Sequence, residues 1–207
     1  MNKSKMKLQL SNGYYLKFDH LSRLLHYVAG KPEVSRFTQK ELSVALGMSP
    51  RMIENLTSYG VALGLLTRRS CEPTELGVLI DKEDTFFDKT ETLWFLHYTI
   101  ASDRKYVVWN RLVNRVFPNE SKVSTEVART YFSDLNVHFS EKSLKKHLAK
   151  EIQSFFNAYT EQKFIQIKYI HKISDTTYKL NEAVQVPDLC ILASCYMYRD
   201  RYTEGAT

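Results

Sequence analysis

Thr38-Gln-Lys-Glu-Leu-Ser-Val-Ala-Leu-Gly47-Met-Ser-Pro-Arg-Met-Ile-Glu-Asn-Leu-Thr-Ser-Tyr-Gly60 is the stretch on which the fold reading turns, because it runs helix, turn, helix. Thr38 and Glu41 stand at capping-box spacing, so a helix is expected from Gln39. Its inward face is Leu42, Ala45 and Leu46, and Gly47 stands where a left-handed C-cap belongs. Ser49 caps a second helix with Pro50 at its first position, where the missing N–H costs nothing. Ile53, Leu56, Gly60 and Leu63 line the inner side of that helix. Arg51, Asn55 and Ser58 fall on the other side, where a recognition helix presents side chains to base edges. The same geometry also serves protein contacts.

Working outward, residues 14–29 carry Leu21, Leu24, Leu25 and Val28 at helical spacing and predict an opening helix ended by Gly30. Leu65–Arg69 reads as a wing strand, Ser70–Pro73 as its turn and Thr74–Ile80 as a short return. Arg68 and Arg69 would lie at the wing edge, a place for phosphate contacts. Residues 1–80 therefore read as an N-terminal winged-helix domain. Residues 81–122 read as a helical linker module: an acidic connector, a helix over Thr90–Ala101 and another over Arg104–Phe117, stopped by Pro118. His97 falls on an apolar helix face and reads as a core histidine.

Residues 123–207 predict a C-terminal winged-helix-like domain with a closing helix. Ser124 caps a helix with Val127, Ala128, Tyr131 and Leu135 inside. Ser140 caps a longer one with Leu144, Leu148, Ile152, Phe155 and Tyr159 inside, leaving Lys145, Lys146 and Lys150 off the seam. Phe164–Ile170 alternates and pairs with Thr176–Leu180 as a hairpin. Pro187 starts the last helix, where Leu189, Leu192, Ala193 and Tyr196 recur at helical spacing. The fold class is mainly α (α+β), two winged-helix-like domains joined by a helical linker module.

Composition bounds the function. With 43% apolar residues and 13% aromatics among 207, the chain can build a packed core. No run approaches the roughly 18 apolar residues of a membrane span. Met1–Lys7 lacks the apolar run of a signal peptide, so the expected address is cytoplasmic, with no membrane partner. The three cysteines fit a reducing compartment, and Cys190 and Cys195 read as core thiols on different faces of a helix. Residues 1–72 hold 11 basic against 5 acidic side chains, residues 73–139 hold 8 against 10, residues 140–179 hold 8 against 4, and the remainder 2 against 4. Two basic segments around an acidic middle suit a polyanion. There is no glycine-rich phosphate loop, no metal-ligand histidine spacing and no nucleophile elbow. No catalytic residue, metal or cofactor is therefore assigned, and the chain reads as a binding protein rather than an enzyme.

Several motifs occur in an order that resembles a bacterial family of unknown function. They are Leu42–Leu66 with its Gly-Met-Ser turn, Leu76-Gly-Val-Leu-Ile80, Thr92-Leu-Trp-Phe-Leu-His-Tyr98, Ser143-Leu-Lys-Lys146, Tyr178-Lys-Leu-Asn181 and Val186-Pro187. The stretch around Asp19–Arg23 departs from that family's opening, and no Cys-Pro-Leu precedes the hairpin. The family is encoded in DNA phosphorothioation and phage-defence gene clusters, beside phosphoadenosine-phosphosulfate-reductase-like proteins. The resemblance implies a DNA-associated regulator or accessory subunit and no particular reaction. The expectation is thus a double-stranded DNA binder, with Arg51, Asn55 and Ser58 at bases and Arg68, Arg69, Lys145, Lys146 and Lys150 at phosphates. Proteins of the same gene cluster are further expected partners. The alternative is an adaptor that docks a catalytic partner through the same domains.

Overall fold

Local capping decides where the second and third helices form. In the computed structural model, which describes residues 6–11 and 14–202, α1 spans Phe18–Ala29, α2 Gln39–Leu46 and α3 Pro50–Ala62. Met1–Lys5, part of the N-terminus on which the cytoplasmic expectation rests, lies outside the described residues. Both halves of the Thr38/Glu41 capping box are made, Gly47 takes φ 64°, and the Ser49 hydroxyl accepts the Met52 N–H. Leu21, Leu24, Leu25 and Val28 of α1 are all buried. In α2 only the Leu42/Leu46 pair packs inward; Ala45 is exposed, contrary to its expected place.

After α3 the chain makes a tight hairpin over residues 65–74. Leu66 pairs antiparallel with Pro73, and Thr67 and Glu72 close the turn with an N–H···O bond of 2.8 Å. The expected wing strand Leu65–Arg69 is thus one isolated bridge with Arg68 and Arg69 in the turn, and the expected return strand ends at the same bridge. The Thr74 hydroxyl accepts the Gly77 N–H at 3.0 Å, and the cap starts α4, Glu75–Glu83. Gly77 lets this helix lie on the hairpin, since a Cβ there would run into the Leu65 carbonyl oxygen. Thr74–Ile80 is therefore helical rather than extended.

The middle third holds α5, Thr90–Ser102, and α6, Val107–Arg111, which continues as a π turn over Leu112–Val116 into α7, Phe117–Asn119. Pro118 does not stop this rod. The wider π turn just before it accommodates the missing N–H and the bulk of the ring.

Ser124 caps α8, Thr125–Thr130, which gives way to a 3₁₀ turn at Ser133–Val137, so the run to Leu135 is not one helix. Ser140 caps α9, Glu141–Ser143, continued through a π turn at Leu144–Leu148 into α10, Ala149–Thr160. Ile152, Ser154, Phe155, Phe156, Ala158 and Tyr159 are all buried, so α10 is enclosed nearly all round.

The expected strand over Phe164–Ile170 is mostly a 3₁₀ turn, Lys163–Ile167. Phe164 and Ile167, three apart, turn inward while Ile165 is exposed. The strands are β1, Ile170–Ser174, and β2, Thr177–Leu180, paired antiparallel with Ile170 opposite Leu180 and a bulge between Lys172 and Ser174. Val123 exchanges two 2.8 Å bonds with Tyr178 along the free edge of β2. The last helix, α11, spans Asp188–Tyr202 and buries Cys190 against α5. Its expected inner residues Leu189, Leu192 and Tyr196 are instead 75%, 54% and 53% exposed.

The fold is α+β and mainly helical, with a two-stranded sheet among the described residues. Buried side chains from Leu8 to Cys190 form one connected cluster that runs through all three expected segments. Phe18 of α1 meets Phe164 edge-on at 5.0 Å, and Tyr59 of α3 meets Trp109 of α6 at 6.1 Å. Leu56 and Leu148 are both buried in that shared core. No helix among the described residues is long and apolar enough to cross a membrane.

Candidate nucleic-acid interface

The expected recognition helix is covered on two sides. One face of α3 packs Ile53, Leu56 and Gly60 inward, as its pattern requires. The opposite face is covered by the N-terminal segment, for which the sequence pattern predicts no place. Asn55 is 1% exposed, and its Nδ2 donates to the backbone carbonyls of Ser11 at 2.5 Å, Tyr14 at 3.1 Å and Leu10 at 3.4 Å. Asn55 is therefore a clamp on that segment and not a side chain open to a base edge. Tyr59, one turn on, bonds the Ser154 hydroxyl of α10 at 2.7 Å. What α3 leaves outside is a narrow strip: Arg51 and Glu54 exposed, Thr57 and Ser58 half-buried. The Arg51 guanidinium lies 6.0 Å from the centre of the Tyr14 ring.

The segment that covers α3 is fixed at a second buried point. Glu151 of α10, 1% exposed, accepts the Ser11 N–H at 3.0 Å and the Trp109 indole N–H at 2.9 Å. Burial pushes its carboxyl above the usual range, and these two donors pull back against that shift. The arrangement ties the N-terminal segment, α6 and α10 together.

The same segment gathers cations. Lys7 donates its backbone N–H to the Lys105 carbonyl at 2.7 Å, which sets Lys7 beside the loop that precedes α6. Burial lowers the Lys7 pKa, and the Arg68 guanidinium of the hairpin lowers it further, against a smaller pull from Glu54 and Glu151. Lys105 is lowered by burial and then by Arg68, with Lys7 adding to the effect and Asp103 opposing it. Its ammonium reaches the Tyr106 hydroxyl at 3.4 Å. Among the described residues none of Lys7, Arg68 and Lys105 makes an ion pair. Arg69 points elsewhere and joins Arg36 in lining a depression of about 360 Å³ between α2, α3 and the hairpin.

Next to Arg104 a cleft of about 560 Å³ opens between α5, the α6–α7 rod and α11. Among the described residues Arg104, Arg111, Arg115, Asn110 and Asn114 line it. Arg111 is anchored by two bonds to Asp134, at 2.5 and 2.8 Å, and one to the Tyr131 carbonyl at 2.9 Å. The bonded guanidinium holds the Asp134 carboxyl below its ordinary range. Sequence reasoning missed Lys7, Arg104, Lys105 and Arg115. A signal was present: residues 104–119 hold four basic side chains and no acidic one. Averaging over 73–139 hid it behind the carboxylates on either side.

Lys145, Lys146 and Lys150 are exposed on the outer side of the α9–α10 rod, as expected. Lys145 pairs with Glu141 one turn earlier at 2.7 Å. The His147 pKa is lowered by burial and then by Lys146 and Lys150, while none of the three lysines acts on Lys7 or Lys105. His97 is a core residue as read: it bonds the Tyr159 hydroxyl, and burial takes its pKa down to about 3. All three cysteines are free thiols; Cys190 is buried, but Cys195 is exposed and so is not the core thiol expected. Among the described residues no group of three or more His, Cys, Asp or Glu is placed to hold a metal ion.

Residues 12–207 match the family model described as "Protein of unknown function (DUF4007)", and the chain belongs to that family. No curated protein matches the sequence. Two crystal structures share the fold. One, of magnesium ion-bound SspB, superposes with a TM-score of 0.73 at 16% identity and covers 93% of this chain. The other, of SspB, has a TM-score of 0.73 at 17% identity and covers 92% of this chain. The matched region is 65% of the SspB chain in each case, so this chain spans just under two thirds of the structures it resembles.

Proposed function

We propose that this DUF4007 chain binds double-stranded DNA through a basic band on its N-terminal half, as a regulator or DNA-targeting accessory subunit of a bacterial defence or DNA-modification system. The observation that supports the reading is the convergence of Lys7, Arg68 and Lys105 from three distant segments, where among the described residues none of the three forms an ion pair and the pull of Glu54, Glu151 and Asp103 does not offset the lowering of the two lysines. Like charges held together raise the free energy of the unbound protein, and a phosphate backbone removes that repulsion on binding. The order of α1, α2, α3 and hairpin 65–74 supports a winged-helix reading of the N-terminal half, and α8, α9–α10 and β1–β2 follow the helix, helix, hairpin part of that order. On this reading Arg68 meets phosphate, Arg69, which lines the depression beside Arg36, is outside the band, and Arg51 and Ser58 stay at the outer strip of α3. Asn55 is withdrawn from the interface.

The test is fluorescence anisotropy of a labelled duplex across a salt series. Removing one phosphate-binding cation flattens the dependence of log K on log salt by about 0.9. Arg68→Glu with Lys105→Glu should weaken binding to all sequences alike and flatten the slope by roughly two units. Equal affinity and slope in wild type and variant would refute the band. The adaptor reading has its own support in the exposed Leu189, Leu192 and Tyr196 of α11, an apolar face suited to a partner protein. It predicts sequence-blind, weak DNA binding and a stable complex with a protein of the same gene cluster, abolished in Leu192→Asp.

A further inference from the structure

The N-terminal segment, residues 6–11, both covers α3 and carries Lys7 to the basic band. Leu8 and Leu10 dock it by joining the common core, where both are buried. Asn55 donates to the carbonyls of Leu10 and Ser11, and Glu151 accepts the Ser11 N–H. The Lys7 N–H bonds the Lys105 carbonyl at 2.7 Å, and Lys7 forms a parallel bridge with Tyr106. These anchors lie on the backbone of the segment or on its apolar side chains. None of them engages the Lys7 ammonium.

With the segment docked, that ammonium stands against the Arg68 guanidinium and the Lys105 ammonium. Glu54 and Glu151 pull on Lys7 in the opposite sense, and Asp103 pulls on Lys105. Like charges brought together by docking cost free energy that the backbone and apolar anchors must offset. A phosphate backbone laid across these cations turns the cost into a gain for the docked segment only, since release carries Lys7 away. A ligand that prefers one of two states shifts the balance toward it by its differential affinity.

We propose that docking of residues 6–11 and binding of a DNA phosphate backbone are one coupled equilibrium, in which the segment delivers Lys7 to a phosphate and Asn55 is a positioning residue. This coupling deepens the DNA-binding reading and rests on it. Asn55 touches no DNA, yet its loss weakens binding because Lys7 is no longer held in place. Coupling is reciprocal, so the factor by which a duplex tightens the segment equals the factor by which undocking weakens the duplex.

Amide hydrogen exchange of the segment in the full chain, with and without saturating duplex, reads the first factor. Duplex anisotropy across a salt series reads the second. The duplex should slow exchange at the Lys7 and Ser11 amides by about fivefold or more. Lys7→Gln should weaken binding to all sequences by a similar factor and flatten the salt slope by about 0.9, the loss of one phosphate contact. Asn55→Ala should do the same, and the double variant should be no worse than either, because both remove the same contact. If Asn55→Ala does not fold, Leu10→Ala loosens the segment and carries the same expectation. In the absence of DNA, Arg68→Gln should slow exchange of the segment by about twofold, since it relieves the repulsion.

Duplex binding that leaves the exchange unchanged, with native affinity in Lys7→Gln and Asn55→Ala, refutes the coupling and leaves the band of Arg68 and Lys105 standing. Faster exchange on binding also refutes it, since the segment would then be a cover displaced from α3. A loss confined to one DNA sequence in Asn55→Ala places that side chain at a base and overturns its positioning role. Arg68→Gln without effect on the free protein removes the repulsion on which the coupling depends. If the duplex does not bind the wild type at all, the DNA-binding reading fails first and the coupling falls with it.

Discussion

α3 and the rod running from α6 to α7 are each thirteen residues long, and each carries arginine and asparagine one turn apart. They use those residues in opposite ways. In α3 the asparagine is sealed under the N-terminal segment, and Arg51 is left on a strip it shares with Glu54. In the α6–α7 rod Asn110 and Asn114 bond the end of α5 and, with Arg115, line a cleft. The residue types and spacing are nearly the same. What separates structural from available is whether a segment from elsewhere in the chain crosses the face, and that contact is non-local.

The strongest test of this contrast is to cut the clamp. Asn55→Ala should destabilise the chain by about 2–4 kcal/mol in urea denaturation, since it leaves buried carbonyls of the N-terminal segment without a donor and opens a small cavity. Arg51→Ala, on the outer strip, should stay within about 0.5 kcal/mol. The contrast breaks if Asn55→Ala keeps its denaturation midpoint while losing sequence-specific DNA affinity, because α3 would then be reading bases after all.

A smaller effect comes from the core behind the cleft, where His97 of α5 is buried neutral. Its folded pKa is about 3 against an ordinary 6.5, so between those values the unfolded chain binds the extra proton. Stability from this group is therefore complete above pH 6.5 and declines as pH falls toward 3, by about 1.4 kcal/mol per pH unit. Glu151 works in the other direction. Its raised pKa gives stability that is full below the unfolded value near 4.5 and lost as pH rises through the folded pKa. Stability profiles from pH 7 to pH 5 should show the acid-side decline in the wild type and a flatter line in His97→Asn. The variant will be less stable overall, since Tyr159 loses its partner, so the slope and not the level is the readout. Identical slopes would mean that His97 is not held neutral.

Where the sequence was legible, the signal was local. Thr38, Ser49, Ser124 and Ser140 all cap the helices expected of them, because a capping side chain reaches only three residues ahead. Leu144 to Tyr159 fell on the expected seam for the same reason, a strong period over a long helix. The misreadings occurred where a tertiary contact competes with the local pattern. Thr74–Ile80 looks like a β run, yet a Thr74 cap and a glycine that tolerates a backbone at close range make it a helix. Phe164–Ile170 alternates on paper but packs at a spacing of three, against α5 and α10. The hairpin pair of arginines was half informative: Arg68 joins the basic band while Arg69 faces a separate depression. The cleft was invisible because charge was averaged over a segment longer than the helix that carries it.

The smallest expected effect concerns Lys145, Lys146 and Lys150, and it asks whether the second basic patch extends the first. These lysines are exposed, and the Lys145–Glu141 pair is a surface i, i+4 contact that solvent screens. Changing Lys145 and Lys146 to Glu should thus leave the melting temperature nearly unchanged. If the C-terminal half also grips the duplex, the double variant lowers affinity equally for all sequences and flattens the salt slope by roughly two units, the same change expected of the Arg68/Lys105 variant. If DNA affinity stays intact and a complex with a partner protein is abolished, the rod is a docking surface, and the basic band is the whole of the DNA contact. If neither assay moves, the three lysines are a solvated helix face, and their net charge of +3 carried no information about binding.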